Sequence, residues 1–155
     1  MTQRADWVEP LAQTIAKARD DIVQVVDELP DDAWSKTSDY SGWTYKDHVS
    51  HLAESHRNVH DVMRAVIAGR DPDFSRFLKL DEINEENRQK HLATSVDALR
   101  TTFIAASEET ESILGSLNAE HADFRLGPMT LGQAIQGFTM HDPEHLSQLR
   151  KALTE

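Results

Sequence analysis

Apolar residues recur at steps of three and four along four separate stretches of this chain, a period that commits each stretch to an amphipathic α-helix. The first carries Trp7, Leu11, Ile15, Ala18, Ile22, Val25 and Leu29 on one face, and Pro30 with Asp31 and Asp32 ends it. The second opens at Thr44, which with Asp47 has the spacing of a capping box, and carries Tyr45, Val49, Leu52, Val59, Met63 and Val66. Gly69 and the Asp71-Pro72 pair stop it. The third is expected from about Asn84 to Leu114, along Leu92, Val96, Leu99, Phe103, Ala106 and Ile113, with Gly115 as terminator. The fourth starts near Thr130, after Gly127 and Pro128, and reads Leu131, Ile135, Phe138, His145, Leu149 and Ala152 along one stripe. Pro143 inside it removes the bond to the Thr139 carbonyl, so this segment is expected to kink.

No stretch alternates β-branched and aromatic residues long enough to argue for a strand, and no fixed-period repeat is present, so the predicted class is all-α, a four-helix bundle. The connections from Pro30 to Trp43 and from Gly69 to Ile83 exceed a tight helix hairpin and predict long crossover connections. The second of them contains Phe74, Phe77, Leu78 and Leu80, expected to form a short extra helix or to cover one end of the bundle. The whole length, 155 residues of which 39% are hydrophobic, fits one domain spanning 1–155.

Charge and residue usage narrow the chemistry. Lys and Arg number 16 against 27 Asp and Glu, and the resulting −11 repels phosphates, so nucleic acid is not an expected partner. No run reaches the roughly 18 to 20 apolar residues of a membrane span. The first residues lack the basic-then-apolar layout of a secretory signal, so the expected address is cytoplasmic. There is no cysteine, which leaves His, Asp and Glu as the only candidate metal ligands and makes the eight histidines the feature to explain.

His141 and His145 stand four apart on one helix, a spacing that stacks two imidazoles and lets both reach one ion at about 2.0 to 2.1 Å. The second helix offers His48, His51, His56 and His60. At about 100° per residue His56 falls near the middle of the apolar stripe, His48 and His60 on its shoulders and His51 well to the side, so periodicity alone does not select His51.

What selects it is a resemblance, carried by several motifs in their order along the chain. Trp43-Thr44-Tyr45-Lys46-Asp47 is followed by His51-Leu52-Ala53-Glu54-Ser55-His56-Arg57-Asn58, and near the end by His141-Asp142-Pro143-Glu144-His145 and Gln148-Leu149-Arg150-Lys151. Together these resemble the DinB-like (YfiT-like) metalloenzyme superfamily over the whole chain. The resemblance implies a four-helix bundle with crossover topology, a homodimer, and a divalent ion, zinc or nickel, held by His51, His141 and His145. Pro143, between two of the implied ligands, departs from the family's usual form. Of the remaining histidines, His56 reads as a core residue beside the site, His48 as a flank residue, His60 as a surface one, and His91 and His121 as solvated.

Three neutral imidazoles leave a divalent ion an open position, which suits activation of water for hydrolysis or capture of a low-molecular-weight thiol for transfer to a small electrophilic substrate. The implied function is a metal-dependent thiol transferase or hydrolase of detoxification or stress type. The alternative is a non-catalytic dimeric helical bundle that binds a small molecule or a protein. Glu144, Asp142 and Glu54 are the nearest carboxylates by sequence, but Glu144 points roughly 100° away from His145, so no acid or base is assigned. Asp47 is placed to cap its helix and also, four residues before His51, to orient that ring.

Overall fold

A computed structural model describes residues 4–73 and 75–154 of the chain. Six α-helices carry the fold: α1 (Glu9–Glu28), α2 (Tyr45–Ile67), α3 (Leu80–Lys90), α4 (Val96–Leu114), α5 (Leu131–Thr139) and α6 (His141–Ala152). Local chemistry sets their starts. Pro10 sits in the first turn of α1, and Thr44 with Asp47 makes the predicted capping box on α2. Ser95 caps α4 through the Ala98 N–H, and Thr130 with Gln133 forms a second capping box on α5.

The fold is all-α, as expected, with α5 and α6 together forming one kinked rod of a four-rod bundle. Both α1 and α2 pack against α4 and α6, which puts these two consecutive helices at opposite corners. The segment joining them therefore crosses the end of the bundle, as the long connection predicts. Trp34 is buried under it, and the backbone of Ser38 bonds back to the Trp43 carbonyl at 2.7 Å. No described helix is long and apolar enough to cross a membrane.

Two expectations need correction. The third stretch is not one helix from Asn84 to Leu114: α3 ends at Lys90 and α4 begins at Val96. Ser95 offers its hydroxyl to a new helix start, and Leu92, assigned to the buried stripe, is 53% exposed in the turn between the two. Helix α3, which begins at Leu80, has no buried residue and rests on α2. It is preceded by a short 3-10 turn at Ser75–Lys79 that holds Phe77 and Leu78, so the apolar connection does form extra helix; Phe74 lies outside the described residues. The second correction is a small antiparallel hairpin pairing Arg125–Leu126 with Met129–Thr130. Two-residue strands are too short to show alternation; only the turn is visible beforehand, with Gly127 at φ 64°.

The core is divided. One apolar cluster includes Ile22, Tyr45, Leu52, Phe103 and Leu149; the other includes Ile15, Met63, Leu114, Leu131 and Ile135. Along α2, His56 and His60 fall between them, both buried, and meet Thr110 of α4 and Asp142 of α6. One set of donor roles satisfies both rings, with the Thr110 hydroxyl turning from its alternative acceptor, the Ala106 carbonyl at 3.1 Å. The His56 Nε2–H donates to Asp142 Oδ2 at 2.8 Å, and the Thr110 hydroxyl donates to His56 Nδ1 at 2.8 Å. The His60 Nε2–H is then shared between Thr110 Oγ1 at 2.7 Å and the Ala106 carbonyl at 2.9 Å. This polar layer ties α2, α4 and α6 at one level and fixes the axial position of α6.

Thr110→Val keeps the shape and removes both roles of the hydroxyl. It is expected to cost about 1–3 kcal/mol in chemical denaturation, the penalty for unpairing buried polar atoms. An unchanged denaturation midpoint would show that the layer is not holding the helices.

Candidate metal centre

Helix α2 presents His48 and His51 one turn apart, and α6 presents His141 and His145. The fold brings His51, His141 and His145 together: one ring nitrogen from each lies within 4.8 Å of the other two. His51 Nε2 and His141 Nε2 are 2.9 Å apart, and the three ring centroids are separated by 4.5 to 4.8 Å. The kink contributes to this placement. Helix α5 stops at Thr139, Met140 bridges, and the ladder resumes with Glu144 N–H on the Met140 carbonyl at 3.2 Å, so Pro143 falls where no N–H is required.

The donor set fits a divalent ion. Two ligand atoms at about 2.0 to 2.1 Å from one ion in tetrahedral geometry stand roughly 3.3 Å apart, and the separations here bracket that value. Binding also needs neutral imidazoles, and burial supplies them. Desolvation, reinforced by His141, His51 and His48, pushes His145 down to about 2. Burial, with His141 and His48 beside it, takes His51 to about 3, and burial lowers His48 to about 4. Burial lowers His141 as well, and its buried Nδ1 has no hydrogen-bond partner among the described residues.

A chain of hydrogen bonds determines which nitrogen His145 offers. The Ser38 hydroxyl stands 2.8 Å from the Trp43 carbonyl and 2.8 Å from His48 Nε2, and His48 Nδ1 stands 2.8 Å from His145 Nδ1. Ser38 has one proton. Given to Trp43, it leaves Oγ free to accept from the His48 Nε2–H; given to His48, it leaves two oxygens facing each other at 2.8 Å with no proton between them. The first arrangement makes His48 Nδ1 an acceptor, so the His145 Nδ1–H donates to it and the His145 Nε2 lone pair is left for the cluster. Aromatic rings wall this group: Trp43 stacks on His145 at 12° and lies 4.9 Å from His51, and Tyr40 sets its edge against His48 and His145.

The family model for the DinB superfamily matches residues 14–149. The chain belongs to the DinB superfamily. No curated protein and no solved structure matched it. In this DinB chain the residues quoted for the resemblance have physical roles: Trp43 covers the cluster, Thr44 and Asp47 start the helix that carries His51, and His141 and His145 face it across the bundle.

Other histidines depart from expectation. His48 is not a flank residue; it is fully buried and holds His145. His60 is not on the surface but 3% exposed in the polar layer, while His56 is a core histidine as read. His91 is not free in solvent, since its Nε2 bonds Glu54 at 2.9 Å, and the half-buried His121 accepts from the Asn118 N–H. These errors share a cause: the wheel assumes an apolar core, whereas this bundle buries a polar layer. The signal for His48 was its i, i+3 spacing to His51, which sets both rings toward one side of α2.

Carboxylates are accounted for elsewhere. Glu54 Oε1 takes Arg57 at 3.0 Å and His91 at 2.9 Å, Asp142 is committed to His56, and Asp47 caps α2 through the Thr44 N–H. Glu144 is exposed and shares a small cavity with Tyr40, His145 and Gln148.

Nitrogen-15 NMR of the metal-free protein at neutral pH is expected to show His48 protonated on Nε2 and His145 on Nδ1. In Ser38→Ala the His48 proton should shift toward Nδ1, for want of its acceptor. A His145 protonated on Nε2 in the unaltered protein would contradict the hydrogen-bond chain.

Proposed function

We propose that this DinB protein is a metal-dependent enzyme in which His51, His141 and His145 hold a divalent ion, zinc or nickel, beside a cleft for a small electrophilic substrate. The reaction would be hydrolysis or transfer of a low-molecular-weight thiol, of detoxification or stress type, in a cytoplasmic homodimer. The observation that carries the reading is the convergence of three imidazoles from α2 and α6 in a setting that keeps them neutral.

When bound, an ion held by three neutral nitrogens supplies Lewis acidity toward an oxygen or sulfur nucleophile at its remaining position. The residues of the chain do the rest. His48 fixes the tautomer of His145, and the polar layer at Asp142 and His56 anchors the first turn of α6, which carries His141. Trp43 covers one side of the cluster, and Tyr40 stands at the edge between it and the cleft. On the other side a cleft of about 400 Å³ includes His51 and His141 with Ser55, Asn58 and Asn84, so polar side chains line the approach to the two rings.

Elemental analysis of untagged protein, purified without chelator, is expected to find about one divalent ion per chain. His51→Ala and His145→Ala should each lose it, with affinity reduced by at least a hundredfold and helical content retained. Wild-type protein that takes up no zinc or nickel at micromolar concentration would end this reading.

A further inference from the structure

Helix α5 contains two glycines with different reasons to be there. A Cβ on Gly132 would stand 3.2 Å from the Ala122 carbonyl oxygen, so close packing explains it. A Cβ on Gly137 would meet nothing within 4 Å among the described residues, and its backbone is not in the left-handed region. Neither packing nor conformation calls for glycine at 137, although glycine weakens a helix relative to alanine. Gly137 does lie where two cavities meet. It lines the cleft at His51 and His141, and it lines a groove of about 700 Å³ walled by Val59, Val62, Leu126, Pro128, Met129 and Phe138. Val59, Phe77 and Phe138 border both. The Phe138 ring stacks on His141 at 14°, so the apolar wall begins at the histidine itself.

We infer that the substrate has a polar reacting head and a nonpolar tail, the tail running from the histidine cleft across the bare backbone at Gly137 into the groove between α2 and the Leu126–Met129 turn. This rests on the metal-centre reading and adds the substrate class. The cleft sets Ser55, Asn58 and Asn84 around its imidazoles, whereas the groove has largely hydrocarbon walls and no ionisable group among its described lining residues. Such a groove favours an alkyl or aryl chain over a second polar group, since each buried methylene is worth roughly a three- to fourfold gain in affinity. Each volume alone is within the range of a small-molecule site, and the border they share at Val59, Gly137 and Phe138 lets one ligand occupy both.

The test uses n-alkyl hydroxamates, whose head group binds zinc, with the full-length zinc-loaded protein and calorimetry. Affinity is expected to rise at least a hundredfold from acetohydroxamate to octanohydroxamate. In Gly137→Leu, checked for zinc content, that gain should collapse to below tenfold, while Gly137→Ala should raise the melting temperature, showing that no structural need keeps the glycine. Acetohydroxamate binding with no gain along the series, or a gain untouched in Gly137→Leu, would overturn the inference and leave the metal centre standing. Failure of zinc-loaded protein to bind any member of the series would instead count against the metal centre. Sedimentation supplies the remaining arm: a dimer that Met129→Asp converts to monomer would mean that a second copy covers the groove, and would overturn the inference as well.

Discussion

An imidazole removed from water brings two nitrogens that must each find a partner, and this bundle buries or half-buries six of them between α2 and α6. That requirement organises the interior. Instead of one continuous apolar core there are two, with a polar layer between them whose members sit on three different helices. An apolar contact tolerates a slide of one helix along another better than a hydrogen bond of 2.8 Å does. The layer therefore does what the apolar faces alone would leave loosely specified: it sets the height of α6 against α2, and with it the meeting of His141 and His145 with His51.

The site uses the same constraint with a different outcome. In the polar layer His56 has both nitrogens satisfied within the protein. At the centre, three rings converge under burial that discourages protonation, and the hydrogen-bond chain from Ser38 through His48 leaves His145 with an unshared pair facing its neighbours. Pro143 belongs to this picture as the start of a helix. It occupies the first turn of α6, where its missing N–H costs little, and the break at Met140 separates α5, which packs in the cluster of Ile15 and Ile135, from α6, which carries the histidines.

Much of the fold was legible before any coordinates. The steps of three and four along α1 and α2, the Thr44 capping box, the kink before Pro143 and the crossover implied by the long connections all correspond to local rules that the bundle does not override. The break at His91–Ser95 was not, because Leu92 continues the apolar period while pointing into solvent, and a serine cap competes with an unbroken helix only once tertiary packing has taken sides. For the site, His141 and His145 could be paired from their spacing, but His51 needed the motif around it. The roles of His48, His60 and Ser38 were hidden because their partners lie on other elements, at sequence separations that no helical wheel represents.

The claim on which the chemistry stands is that one ion meets nitrogen from residues 51, 141 and 145 together. X-ray absorption at the metal edge of the zinc-loaded protein measures this directly. The account predicts a first shell near 2.0 Å with the multiple-scattering pattern of three imidazoles, a pattern lost in His141→Ala, either with the ion itself or, at saturating zinc, by reduction to two rings. A shell of oxygen ligands only, or a spectrum unchanged by that substitution, would contradict it.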